Sequence, residues 1–235
     1  MKVATINFSG NQGKTTVAIN MLSPRMPGAP VFSIESLNVD AAADGVEMEK
    51  MKGKRYGDLI DQLILIDTAI IDVGASNAED FLKMMQQFSG SHEEFDLFLV
   101  PTVKAKKQQA DTVNTIRALA MIGVPKKKIR LVFNKVELDD NIEEDFSALF
   151  GLAEREKNFT LSSGAVIFEN EVFDRLKSLG KSIREVAADQ TDYRALAREE
   201  NDDEKKSYYR RMMAAKMLAI TAKKNLDDVF HEVTR

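Results

Sequence analysis

The chain has 235 residues, 44% of them hydrophobic, with 33 Lys and Arg against 37 Asp and Glu. That length fits one large domain or one domain with an appendage, the 30% charged content excludes a membrane-embedded chain, and a net charge of −4 gives the whole molecule no polybasic attraction to nucleic acid. The absence of cysteine rules out disulfides, thiol catalysis and cysteine metal sites, and two distant histidines, His92 and His231, argue against a histidine metal centre or Ser-His-Asp chemistry.

In chain order, residues 3–8 form a short, largely apolar run that predicts a strand covered on both faces, as in a parallel sheet. Its apolar run is too short for a signal peptide, and no stretch approaches the ~18 apolar residues of a membrane span. A soluble, cytoplasmic protein is therefore expected. Helix follows over about 14–23, and a weaker strand over 31–34. The segment 36–57, with Gly45, Gly53 and Gly57, reads as a mobile loop or a short helical excursion. Strands are then expected over 69–73, 97–100, 129–133 and, more weakly, 165–168. Helices are expected near 77–89, 104–122, 141–150 and 171–179. Such alternation predicts an α/β three-layer sandwich with a mainly parallel central sheet, of the P-loop nucleoside triphosphatase (NTPase) type, plus a C-terminal helical extension.

Beyond residue 190 the texture changes. Glu199, Glu200, Asp202, Asp203 and Glu204 precede a stretch, 205–224, with seven bases and no acid, rich in good helix formers. We expect a nucleotide-binding domain over 1–200 and a basic helical tail over 201–235. In that tail Met213, Met217 and Ile220, at i, i+4 and i+7, describe a stripe that packs on the domain or on a partner.

Chemistry concentrates at residues 9–16, SGNQGKTT, between the first strand and the first helix. A loop in this place turns its amides inward and faces a helix N-terminus, which suits phosphate. Gly10 and Gly13 allow a tight turn and a close approach to phosphate. Lys14 is placed to bridge the β and γ phosphates, and the Thr15 hydroxyl to ligate Mg2+. Asn11, Gln12 and Thr16 complete the loop.

The spacing departs from G-x-x-x-x-G-K-[ST], since Phe8 stands where the first glycine belongs. It resembles instead the deviant loop of the ParA/MinD family of ATPases, K-G-G-x-G-K-T-[ST], with Gly10, Gly13, Lys14, Thr15 and Thr16 in register. The resemblance continues through Ala69-Ile-Ile-Asp-Val-Gly74, Phe98-Leu-Val-Pro101, Val132-Phe-Asn-Lys135 and Leu179-Gly-Lys-Ser-Ile-Arg-Glu-Val186. It implies that Asp72 holds a water ligand of Mg2+, that Asn134 reads the adenine of ATP, and that Glu35 stands near the metal. It further implies a homodimer that binds ATP or ADP and works with a DNA-binding partner protein in plasmid partition or stability. The general character is similar to the plasmid-stability, StbB-like subgroup, which is linked to conjugative transfer.

Two departures bear on turnover. The lysine that opens the family's loop is Ser9 here, and the second acid of an acid-x-acid pair is Leu37, with Asn38 or Asp40 as nearby substitutes. Losing a cation that faces developing phosphoryl charge costs orders of magnitude in rate. A slow or partner-dependent ATPase is expected, with a non-hydrolysing adaptor that recruits conjugation or other DNA-processing proteins as the alternative. For DNA, Lys205, Lys206, Arg210 and Arg211 are the candidate contacts, together with a second cluster of Lys104, Lys106, Lys107, Lys126, Lys127, Lys128 and Arg130. The acidic flanks of the tail argue against a membrane role.

Overall fold

The computed structural model describes residues 1–35, 48–51 and 55–235; Leu37, Asn38, Asp40, Gly45 and Gly53 lie outside the described residues. Seven parallel strands form one sheet: β1 (Lys2–Thr5), β2 (Val31–Ile34), β3 (Met48–Met51), β4 (Ala69–Val73), β5 (Leu97–Thr102), β6 (Ile129–Val136) and β7 (Val166–Phe168). Their order is β3-β2-β4-β1-β5-β6-β7, so the phosphate-loop strand β1 lies at the centre. Both β3 and the start of the helix that follows it fall in the segment 36–57, where a mobile loop or a short helical excursion was expected. The residues of β3, MEKM, include no β-branched side chain to announce a strand.

Alternation along the central strands divides the core in two. Ala4, Ile6, Phe32, Ile34, Ile71, Val73, Phe98 and Val100 face one side, under α2 (Tyr56–Ile64), α3 (Ala75–Gln87), α4 (Lys106–Ile122) and α6 (Ser147–Glu156). Between α4 and α6 lies one short turn of helix, α5 (Ile142–Asp145), capped by the Asn141 side chain. Within the first layer Tyr56 is 2% exposed, edge-on to Phe81, and its hydroxyl pairs with Ser91 Oγ at 2.9 Å. Burial pushes its pKa up to about 12.

The sign of that shift sets a measurable consequence. Above the ordinary tyrosine value the unfolded chain releases a proton that the folded chain keeps, so stability falls as pH rises from about 10 to about 12. The loss amounts to roughly 2–3 kcal/mol. Tyr56→Phe is expected to flatten this alkaline limb, read as the difference in urea midpoint between the two chains at pH 9 and pH 11.5.

On the other face, Val3, Val31, Ile70, Leu97, Leu99 and Val132 meet the helix that opens behind the phosphate loop. That helix, α1 (Lys14–Thr16), widens into π-helix over Val17–Leu22 and tightens to a 3-10 turn over Ser23–Arg25, where Pro24 ends it. The layer is completed by α7 (Val172–Leu179), α8 (Ile183–Ala188), α9 (Tyr193–Glu199) and α10 (Asp203–Thr234). At 32 residues, α10 runs about 48 Å.

The expected tail helix is therefore present, and it lies on the sheet domain. Met212, Ala215, Ala219, Ala222, Leu226, Val229 and Val233 are buried, in alternating steps of three and four. Of the expected stripe, Met213 is partly buried against the same cluster, whereas Met217 is 54% and Ile220 53% exposed, beside the alanines that let α10 approach the domain closely. Arg25 ties the end of the phosphate-loop helix to α10 within this layer. Its Nη1 donates to the carbonyls of Asn20 and Met21, its Nε to Asp227 Oδ1 at 2.8 Å and its Nη2 to the Lys223 carbonyl.

Candidate functional site

The site is built at the carboxyl ends of β1, β4 and β6. Register places Thr5, Asp72 and Ser33 in one row across β1, β4 and β2, on the sheet face that carries the phosphate-loop helix. Asp72 is 1% exposed and accepts two hydroxyl bonds, from Thr5 Oγ1 at 3.0 Å and from Thr15 Oγ1 at 2.7 Å. Burial raises its carboxyl pKa; the two hydroxyls and the charge of Lys14 pull the other way without cancelling it. Lys14 is itself buried, 7% exposed, with Nζ donating to the Ser9 carbonyl at 2.7 Å. Burial lowers its ammonium pKa, opposed by the carboxylates of Asp72 and Glu35.

Glu35 reaches the site from the end of β2. Its Cγ lies 3.1 Å from where a Cβ on Gly74 would stand, and the Gly74 amide donates to the Ile34 carbonyl at 2.9 Å. A side chain at residue 74 would therefore push Glu35 away. The structure thus brings Lys14, Thr15, Asp72 and Glu35 into one constellation.

The loop has two left-handed residues, Asn11 at φ 60 and Gly13 at φ 86. Gly10, expected to serve the tight turn, has neither a positive φ nor an atom within 4 Å of a Cβ position. Gly13 does need its glycine twice over: a Cβ there would lie 2.0 Å from Asn134 Nδ2. Asn134, 3% exposed, donates that same Nδ2 to the Gln12 carbonyl at 2.8 Å. Gln12 is fully buried, and neither polar atom of its side chain has a partner. Thr16 follows, half-buried, within α1.

Two residues absent from the sequence-based set carry the loop's base. Asn7 is fully buried, accepts from the Ser9 amide at 2.9 Å and donates Nδ2 to the Pro101 carbonyl and to Thr112 Oγ1. Thr115 Oγ1 accepts from the Phe8 amide. The loop is thus hung from β5 and α4. Thr5 is a third missed residue, through its bond to Asp72. For Thr5 and Asn7 a sequence signal was available: the two polar residues interrupt an apolar run at alternate positions.

The lysine cluster does not converge. Lys104, Lys106 and Lys107 lie at the start of α4, whereas Lys126, Lys127, Lys128 and Arg130 lie beyond its far end, about 25 Å along its 17 residues. Several members are also committed elsewhere. Lys104 pairs with Asp140 and Asp145, and Lys128 Nζ donates to the Phe95 carbonyl at 2.6 Å. In the tail, Lys205, Arg210 and Arg211 are exposed and Lys206 is half-buried. Lys206 and Arg210 share one side of α10, with Arg211 turned about 100° from Arg210. Among the described residues no helix is long and apolar enough to cross a membrane.

No family model matches the chain, and no curated protein matches it by sequence. Solved structures match it through their folds. The MinD cell-division protein of Aquifex aeolicus aligns over 96% of this chain and 95% of its own, with a TM-score of 0.53 and 11% identity. The ATP complex of McdA from Cyanothece aligns over 94% and 96%, at 0.51 and 14%. The cell-division ATPase MinD of Pyrococcus furiosus aligns over 91% and 97%, at 0.50 and 14%. The chain accordingly has the P-loop α/β fold of the MinD and McdA ATPases, as the sequence led us to expect.

Proposed function

We propose that a chain with this MinD- and McdA-like fold binds ATP with Mg2+ and works as a nucleotide-dependent switch in plasmid partition, plasmid stability or the positioning of DNA. One observation carries the reading: the Thr15 hydroxyl lies on the carboxylate of a buried Asp72 while Lys14 is held in the loop by a neutral carbonyl. These donors fit a phosphate-bound divalent ion. The threonine hydroxyl would serve as a direct ligand, Asp72 would accept from a water ligand, and Glu35 would add negative charge on the same side. Mg2+ when bound neutralises the β and γ phosphates. A phosphate oxygen, being charged, is a stronger partner for Lys14 than the Ser9 carbonyl. The amides of Gly10, Asn11, Gln12 and Gly13 supply the remainder of the cradle.

Ser9 brings a hydroxyl and no cation, so turnover by the chain alone is slow in this reading. The working form is a homodimer acting with a DNA-bound partner protein. Non-specific DNA meets the first turns of α10, through Lys205, Lys206, Arg210 and Arg211. The uncharged loop opening favours one second reading, an adaptor locked by nucleotide that recruits conjugation or other DNA-processing proteins.

Steady-state ATP turnover with and without duplex DNA, beside Lys14→Ala, tests the switch. Turnover above that control and raised by DNA is expected, and charge reversal at the four tail bases is expected to remove the DNA effect. Tight ATP binding with no stimulated turnover would replace the switch by the adaptor. ATP affinity unchanged in Lys14→Ala would sink the phosphate-loop reading.

A further inference from the structure

We infer that Asn134 is a positioning residue of the phosphate loop: it sets the direction of the Gln12–Gly13 peptide, and so the anion affinity of the loop, whatever base the nucleotide carries. This rests on the phosphate-loop reading above. Three features of the structure bear on it.

The first is the path of β6. Phe133 and Val136 both belong to the same core cluster although they are three residues apart, which strict alternation forbids. The extra residue is absorbed at Lys135, whose φ is 55, where the register with β7 shifts. A bulge of this kind re-aims its neighbours, and a lysine in left-handed conformation costs energy that the surrounding structure must offset. Here the re-aimed residue is Val136, while Asn134, in step with Val132, keeps the sheet face that carries the phosphate-loop helix up to the point where the strand breaks. The second feature is contact. Asn134 Nδ2 occupies the place where a side chain on Gly13 would begin, 2.0 Å from the ideal Cβ. The third is the bond from that nitrogen to the Gln12 carbonyl, 2.8 Å long and buried.

A trans peptide is planar, with its C=O and N–H pointing oppositely. Holding the Gln12 carbonyl against Asn134 therefore turns the Gly13 N–H away from the protein wall. Loop amides so directed are what an anion meets. Without the Asn134 donor, the peptide between Gln12 and a glycine is at liberty to turn over, and each turned molecule presents a carbonyl where phosphate needs a donor.

The test compares ATP, GTP and tripolyphosphate, each with Mg2+, by calorimetry at a temperature where every chain is fully folded. Asn134→Ala is expected to weaken all three by the same factor, about tenfold. Asn134→Leu, which keeps much of the shape and lacks the donor without adding charge, is expected to do the same. Loss confined to ATP would overturn the proposal in favour of base reading, and unchanged affinity for all three would overturn it outright. A wild-type chain that binds none of the three would instead bring down the phosphate-loop reading on which the proposal stands. Should the variants fail to fold, amide exchange in the wild-type chain decides. The Asn134 side-chain amide is expected to stay protected with tripolyphosphate bound, and its release on binding would reject the proposal.

Discussion

Asp72→Asn is expected to make the protein more stable and to weaken Mg2+-dependent nucleotide binding. Asp72 is 1% exposed, and burial raises its pKa beyond what Thr5, Thr15 and Lys14 recover. Between the ordinary carboxylate value and that raised value, the folded chain holds a proton which the unfolded chain has released. Stability therefore falls as pH rises through this window, and above it the charged carboxylate remains a cost. Asparagine carries no charge and keeps the shape, and the two threonine hydroxyls can rotate to suit its amide. The melting temperature of Asp72→Asn at pH 7.5 is expected to exceed that of the parent, with the difference shrinking as pH is lowered. Binding moves the other way. Removing an acceptor that orients a metal-bound water costs about 10–100-fold in metal affinity, so the Mg2+ concentration that half-saturates ATP binding is expected to rise by that factor. A variant less stable at pH 7.5, or one with unchanged Mg2+ dependence, would remove Asp72 from the role given it here.

The second large effect is at Gly13. Alanine there suffers a left-handed backbone at φ 86, worth about 1–2 kcal/mol. Its Cβ also displaces the Asn134 amide and orphans the buried Gln12 carbonyl, worth about 1–3 kcal/mol more. Gly13→Ala is thus expected to lower the melting temperature by about 5–15 °C for a chain of this length. The two causes separate in the Gly13→Ala, Asn134→Ala double variant. Both single changes lose the same Asn134–Gln12 bond, so the double variant is expected to be less damaged than the sum of the singles by at least 0.5 kcal/mol. Strict additivity in urea denaturation would mean that the two residues do not act on each other.

Much of this was legible in the residues. The apolar runs that became β1, β4, β5 and β6 are buried from both sides, and such strands announce themselves by composition alone. The phosphate loop was legible because glycine, lysine and threonine stand in fixed order after a strand. What stayed hidden has physical reasons. Four residues, MEKM, make a strand only because β2 offers them an edge to pair with. The helix α2 carries a plain signal, Tyr56, Leu59, Ile60 and Leu63, at helical spacing, but it sits directly beside a glycine-rich stretch that draws the eye towards a loop. On α10 two apolar stripes compete, and the choice between them depends on how closely alanine lets the helix approach, which no single-helix pattern records. The bond from Asn134 to Gln12 joins residues 122 positions apart, so neither end could be inferred from its own surroundings.

The order in which the ribosome delivers these pieces has a consequence of its own. Val17, Ala18, Met21 and Leu22 share their core cluster with α10, and Arg25 meets Asp227 across 202 residues of chain. At 5–20 residues per second, about 10–40 s pass between synthesis of the first nucleotide-binding segment and arrival of the helix that covers it. Through that interval the apolar back of the phosphate-loop helix stays uncovered, open to chaperones and to neighbouring nascent chains. A stop codon placed near residue 200 would make that exposure permanent. Removing α10 to ask what its basic end binds would therefore yield an aggregating chain, and the question has to be put with point substitutions.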